Sequence, residues 1–163
     1  MNSVDTISPE QGMFELSLMN GESSIYDFDD LVVESINRGI APEIITRLRK
    51  LWNKTKYIAG EIISVGKIIV QRIFEFIKEN PKLTIGLALG AAISALIAGI
   101  PFIGPLVAPV STTISTLYGA GVGAAMEQGD LSGSPYSAAI ELASKFFELL
   151  KSIFIAIKDY WFE

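Results

Sequence analysis

Residues 83–126 read LTIGLALGAAISALIAGIPFIGPLVAPVSTTISTLYGAGVGAAM, 44 consecutive positions without one Asp, Glu, Lys or Arg. A helix rises about 1.5 Å per residue, so a bilayer core of about 30 Å takes about 20 residues. The charge-free stretch is too long for one pass and suits two. It is interrupted by Pro101, Pro105 and Pro109, spaced by four, with Gly104 among them. This punctuation predicts a helix over 83–100 and a second over 106–126, joined by an apolar turn built from Pro101, Gly104, Pro105 and Pro109. The expected fold class is all-α, a helical membrane protein whose central two-helix transmembrane hairpin is flanked by long amphipathic helices.

Small residues suggest which faces of the hairpin are packed. Gly86, Gly90, Ser94 and Ala98 recur every four residues in the first helix, and Ser115, Gly119 and Gly123 do so in the second. Such stripes let helix backbones approach closely where lipid supplies no hydrophobic drive. In an ordinary helix each Gly costs about 1 kcal/mol against Ala, so their number calls for a packing reason. They form the expected helix-packing and oligomer face. Hydroxyls are concentrated in the second helix, and Thr112, Ser115 and Thr116 are candidates to line a pore. The competing role for such hydroxyls is to bond back to their own i−4 carbonyls and serve as glue between helices.

Working outward, the charge pattern divides the chain into four. Residues 1–37 carry a net −8, residues 38–82 a net +6, residues 83–126 zero and residues 127–163 a net −3, which together give the overall −5. The expected organisation is an acidic N-terminal arm with short helices (1–37), a basic amphipathic helical region (38–82), the Gly-rich hairpin (83–126) and a C-terminal amphipathic helix (127–163). Asymmetry of this kind marks a partner or a membrane surface. An unpaired acidic arm suits a protein partner, while net acidity argues against nucleic acid. Residues 1–25 lack the basic and apolar regions of a secretory signal.

Ser8-Pro9 with Gln11 has the form of a helix start, with Asn20-Gly21 as the stop. A second helix is expected from Asp29 to Asn37, ended by Gly39. Over 42–56, Ile44, Ile45, Leu48, Leu51 and Trp52 alternate at helical spacing with bases, and apolar residues from Ile62 to Ile77 continue the pattern to Glu79. Asn80-Pro81 breaks it. A last long helix is expected over 137–163 after Ser134-Pro135. No strand pattern of useful length is expected. Arg47, Lys50, Trp52 and Lys54 suit the headgroup layer of an anionic membrane, as do Lys78 and Lys82 before the hairpin and Trp161 in the aromatic end. The positive-inside preference keeps those bases cytoplasmic, and a hairpin returns residue 127 to the same side. The expected location is a bacterial inner (plasma) membrane with both termini cytoplasmic.

Composition removes much catalytic chemistry. The chain has no Cys and no His, hence no thiolate or imidazole to act as nucleophile, general base or metal ligand. Gly60 and Gly66-Lys67 are separated by five residues where a phosphate loop has four, and Ile68 stands where its Ser/Thr belongs. Gly119, Gly121 and Gly123 lack the dinucleotide spacing. No cofactor, no metal and no enzymatic activity are expected.

Over residues 57–160 the succession of amphipathic helix, charge-free hairpin and amphipathic helix resembles the layout of pore-forming helical proteins such as the colicins. The three-proline turn is similar to that of the oleosins, with a different spacing. These resemblances concern layout and carry no site residues. The hairpin, its small-residue faces and the hydroxyls of its second helix point to a protein in contact with the lipid bilayer that self-associates as a homo-oligomer and forms a pore or permeabilises the membrane. Two alternatives remain: a non-conducting accessory membrane subunit that scaffolds partner proteins, and a soluble bundle that inserts on a trigger.

Overall fold

The computed structural model describes residues 7–118 and 135–162. The described residues hold nine α-helices, one 3₁₀ turn and one small β-ribbon, so the chain is predominantly helical as expected. Helix α1 (Pro9–Ser23) starts as the sequence dictates: Ser8 caps it by accepting a hydrogen bond from the Gln11 amide at 3.0 Å. It runs on through Asn20-Gly21. Asn20 is occupied elsewhere, donating to the Ile62 carbonyl at 3.2 Å and accepting from the Ser64 amide at 2.8 Å. Helix α2 (Phe28–Asn37) is capped by Asp27, and α3 (Pro42–Trp52) starts at its proline.

The helical pattern over 57–79 does not give one helix. Lys56–Ile58 (β1) and Glu61–Ile63 (β2) pair antiparallel, with Tyr57 opposite Ile62. Both turn residues, Ala59 (φ 49°) and Gly60 (φ 88°), are left-handed, as a two-residue loop that follows the strand twist requires. The ribbon buries Ile58 and Ile63 while Tyr57 and Ile62 stay 63% and 70% exposed. Helix α4 (Val65–Glu79) then begins where a Cβ on Gly66 would collide with the Leu51 carbonyl oxygen. The two glycines that look like a phosphate loop thus have backbone reasons, a turn and a close crossing of α3.

Helix α5 (Ile85–Gly99) is capped by Thr84, and a 3₁₀ turn (Pro101–Ile103) leads into α6 (Gly104–Tyr118). The expected turn is therefore shorter than its prolines suggest. Pro101 opens the 3₁₀ turn, Gly104 and Pro105 begin α6, and Pro109 lies inside it. Pro105 is tolerated because the first four amides of a helix have no partner within it, whereas Pro109, the sixth residue, forgoes the bond to the Pro105 carbonyl. The two segments are bent by 119°, a V rather than an antiparallel hairpin. Among the described residues no single helix is long and apolar enough to cross a membrane; the bent pair reaches that length and composition only together.

The C-terminal stretch forms three helices instead of one: α7 (Pro135–Phe146), α8 (Glu148–Ala156) and α9 (Lys158–Trp161). The joints, Phe147 and Ile157, leave helical geometry with ψ of 9° and 12°. Both are buried, so the chain bends where it wraps the core. The acidic N-terminal residues are part of the same body. Leu16, Phe28 and Leu31 enter the core, and Gly12 lets α1 cross α8 beside Ala156. Asp29 pairs with Arg49 at 3.3 Å, and Glu34 pairs with Lys78 at 3.4 Å and Arg38 at 3.1 Å. The acidic block thus meets its own basic block.

Ala59 holds a left-handed backbone that glycine adopts without a steric penalty. Ala59→Gly is expected to raise stability by about 0.5–1 kcal/mol in urea denaturation. Gly66→Ala is expected to lower it by about 2 kcal/mol or more in the same measurement, since the opposing atom is backbone.

Candidate functional site

The feature that distinguishes this bundle is the way α5 is held. Every residue from Ala88 to Leu96 is buried, more than two full turns without a solvent face. Helices α7, α4 and α6 enclose it, with α7 giving the most extensive packing and α8 reaching its C-terminal end. The neighbours bring amphipathic faces: α4 turns Ile69, Ile73, Phe74, Phe76 and Ile77 inward and leaves Lys78 and Glu79 exposed.

Of the expected small-residue face, Gly86, Gly90 and Ser94 are buried and Ala98 is exposed. Gly90 meets Tyr136 of α7, whose hydroxyl sits where a Cβ on Gly90 would have to be. Helix α7 brings Ala139 and Ala143, four residues apart and both buried. Small residues thus serve close packing here, between helices of one chain. Gly119 and Gly123 lie outside the described residues. Ser115 is partly buried and bonds back to the Ser111 carbonyl at 3.1 Å.

Two polar atoms on this contact have no partner among the described residues. Ser94 Oγ and Tyr136 Oη are buried and make no hydrogen bond there, at a cost of about 1–3 kcal/mol each. Burial also pushes the Tyr136 phenol up from 10.0 to about 12. Tyr136 is a site residue that helical periodicity alone does not reveal; its signal is an aromatic three and seven residues ahead of two small residues, Ala139 and Ala143, on one helix face.

Helix α6 differs from the others in what it shows to solvent. Val107, Val110 and Ile114 face inward, whereas Pro105, Ala108, Pro109, Thr112 and Thr116 are exposed on a face without charge. Its hydroxyls are largely satisfied within the helix: Thr113 donates to the Pro109 carbonyl at 2.9 Å and Thr116 to the Thr112 carbonyl at 3.0 Å. The pore-lining candidates are thus divided, with Thr112 and Thr116 outward and Ser115 half-inward.

The residues expected at a headgroup layer are also divided. Arg47, Lys50, Lys54, Lys78 and Lys82 are exposed. Trp52 and Trp161 are core residues instead. Trp52 sits edge-on to Phe28 at 5.3 Å. Trp161 packs with Phe102 and Phe154 at 5.2 and 5.9 Å, with the Lys56 ammonium 5.1 Å from its ring. An amphipathic helix puts its aromatic residue on the apolar side whatever covers that side, so periodicity does not tell a bundle from a bilayer.

Among the described residues no cluster of three or more acidic side chains is arranged to hold a metal ion. No protein family, curated protein or solved structure matches the chain.

Tyr136→Phe removes an unpartnered hydroxyl and is expected to raise stability in urea by about 1 kcal/mol. Burial disfavours the Tyr136 phenolate in the folded state, so above pH 10 the unfolded chain ionises first and the fold loses stability as pH rises toward about 12. Thermal unfolding should therefore show an alkaline loss that Tyr136→Phe diminishes, and the same substitution should remove a late-titrating component from the phenolate absorbance.

Proposed function

We propose that this chain is a membrane-active helical bundle whose described form is the closed one. At a bilayer the cover opens, α5 and α6 enter the lipid, and self-association through Gly86, Gly90 and Ser94 permeabilises the membrane. The observation that carries the reading is that α5 has no polar side and is sheathed by amphipathic helices. Such a helix is stable wherever water is excluded, so lipid can replace the protein cover without exposing a charge to hydrocarbon. The unpartnered Ser94 and Tyr136 support it further, because their desolvation weakens the contact that must part. In this reading the protein works without a cofactor and without catalysis, and its chain ends stay on the cytoplasmic side of the membrane from which the bundle opens.

A reversible lock tests the opening. A Cβ built on Gly99 lies 3.8 Å from the Lys151 Cβ, the separation typical of a disulfide. The chain has no native Cys to interfere. Gly99→Cys with Lys151→Cys therefore ties α5 to α8. The reduced protein is expected to release dye from vesicles containing phosphatidylglycerol, and the oxidised protein to release it on the order of tenfold more slowly, with recovery on reduction. Equal release in both states refutes the opening, and no release in either refutes permeabilisation.

A further inference from the structure

Helix α3 packs along α6, and we infer that the outer face of α6 together with the cations of α3 is where the closed bundle first docks on an anionic phospholipid bilayer. The inference rests on the membrane reading above but needs no opening of the bundle. Helix α6 exposes Pro105, Ala108, Pro109, Thr112 and Thr116, spaced as one helical face, and none carries a charge. Thr116 gives its proton to the Thr112 carbonyl and the neighbouring Thr113 to the Pro109 carbonyl. Thr116 thus brings a hydrogen-bond partner with it, and the Thr112 hydroxyl is free to bond a headgroup oxygen when the face is pressed into a headgroup layer.

Helix α3 packs directly along α6 and supplies the complementary charge. Its bases fall on two flanks. Arg49 is taken by Asp29 of α2 at 3.3 Å. On the other flank by helical spacing, Arg47 and Lys50 are exposed, followed by exposed Lys54, and none of the three is in an ion pair among the described residues. Glu43, the single acid on α3, precedes Arg47 by one turn on that flank. The protein is net acidic, so three cations against one acid, on a helix packed along an uncharged face, are a local reversal of its overall sign. A charge-free strip bordered by cations fits lipid with negative headgroups: each cation near such a surface is worth about 1 kcal/mol, and the strip can settle among headgroups without desolvating a charge. A protein partner would not need the whole strip to be free of charge.

Flotation of the oxidised Gly99→Cys/Lys151→Cys protein tests docking apart from opening. It is expected to rise with vesicles of phosphatidylcholine mixed with phosphatidylglycerol and to stay behind with phosphatidylcholine alone. Arg47→Gln, Lys50→Gln and Lys54→Gln together should weaken binding by on the order of a hundredfold. Thr112→Glu, an exposed change that should leave helical circular dichroism intact, should abolish it, whereas Ser24→Glu should not. Equal flotation with both vesicle types overturns the inference, as does wild-type flotation of Thr112→Glu. A dimer in free solution that Thr112→Glu splits would assign the face to a second copy and also overturn it. Flotation of the locked protein without dye release from the reduced one supports docking and refutes permeabilisation.

Discussion

A helix that is apolar on every side has to be covered on every side, and α5 imposes that condition on its neighbours. Helices α4, α6 and α7 each lay an apolar face on it and leave their remaining surface to water. Because Gly90 and its neighbours are small, α7 can come close enough for a tyrosine hydroxyl to reach the α5 backbone. The same closeness leaves that hydroxyl, and Ser94, without partners among the described residues. Tight packing and incomplete hydrogen bonding are two results of one geometric choice.

Electrostatics organises the outside as α5 organises the inside. The acidic first block and the basic second block of the chain meet through Asp29, Glu34, Arg49 and Lys78. Exposed pairs of this kind contribute little individually, about 0–1 kcal/mol. Their effect is on distribution: with Arg49 engaged on the side of α2, the cations of α3 that are in no ion pair among the described residues lie on its other flank. Neither charge block can be understood as a tail, since the apolar residues between the charges enter the core.

Much of the helical fold was legible from residues. Ser8-Pro9, the residues around Asp29 and Asn80-Pro81 mark boundaries through local chemistry that tertiary packing leaves in place. The charge-free stretch was legible as water-excluded, but exclusion by protein and exclusion by lipid write the same pattern. That is why Trp52 and Trp161 read as interfacial residues and are found in the core. The β-ribbon was hidden because Ile58, Ile62 and the apolar residues of α4 happen to continue a helical spacing, while each strand has only three residues. The bends at Phe147 and Ile157 have no local signal at all, because they serve wrapping of a core assembled from distant segments. Tyr136 was missed for the same reason: its role exists only through Gly90, 46 positions away.

Asn20 shows how a short ribbon can be made safe. In a two-residue hairpin the Ile62 carbonyl and Ser64 amide point away from β1, an open edge on which a second chain could add a strand. The side-chain amide of Asn20 occupies both groups, giving β2 the bonding pattern of one residue of a third strand. A single side chain from α1 thereby removes the template for intermolecular pairing, and does so without adding a strand to a helical fold.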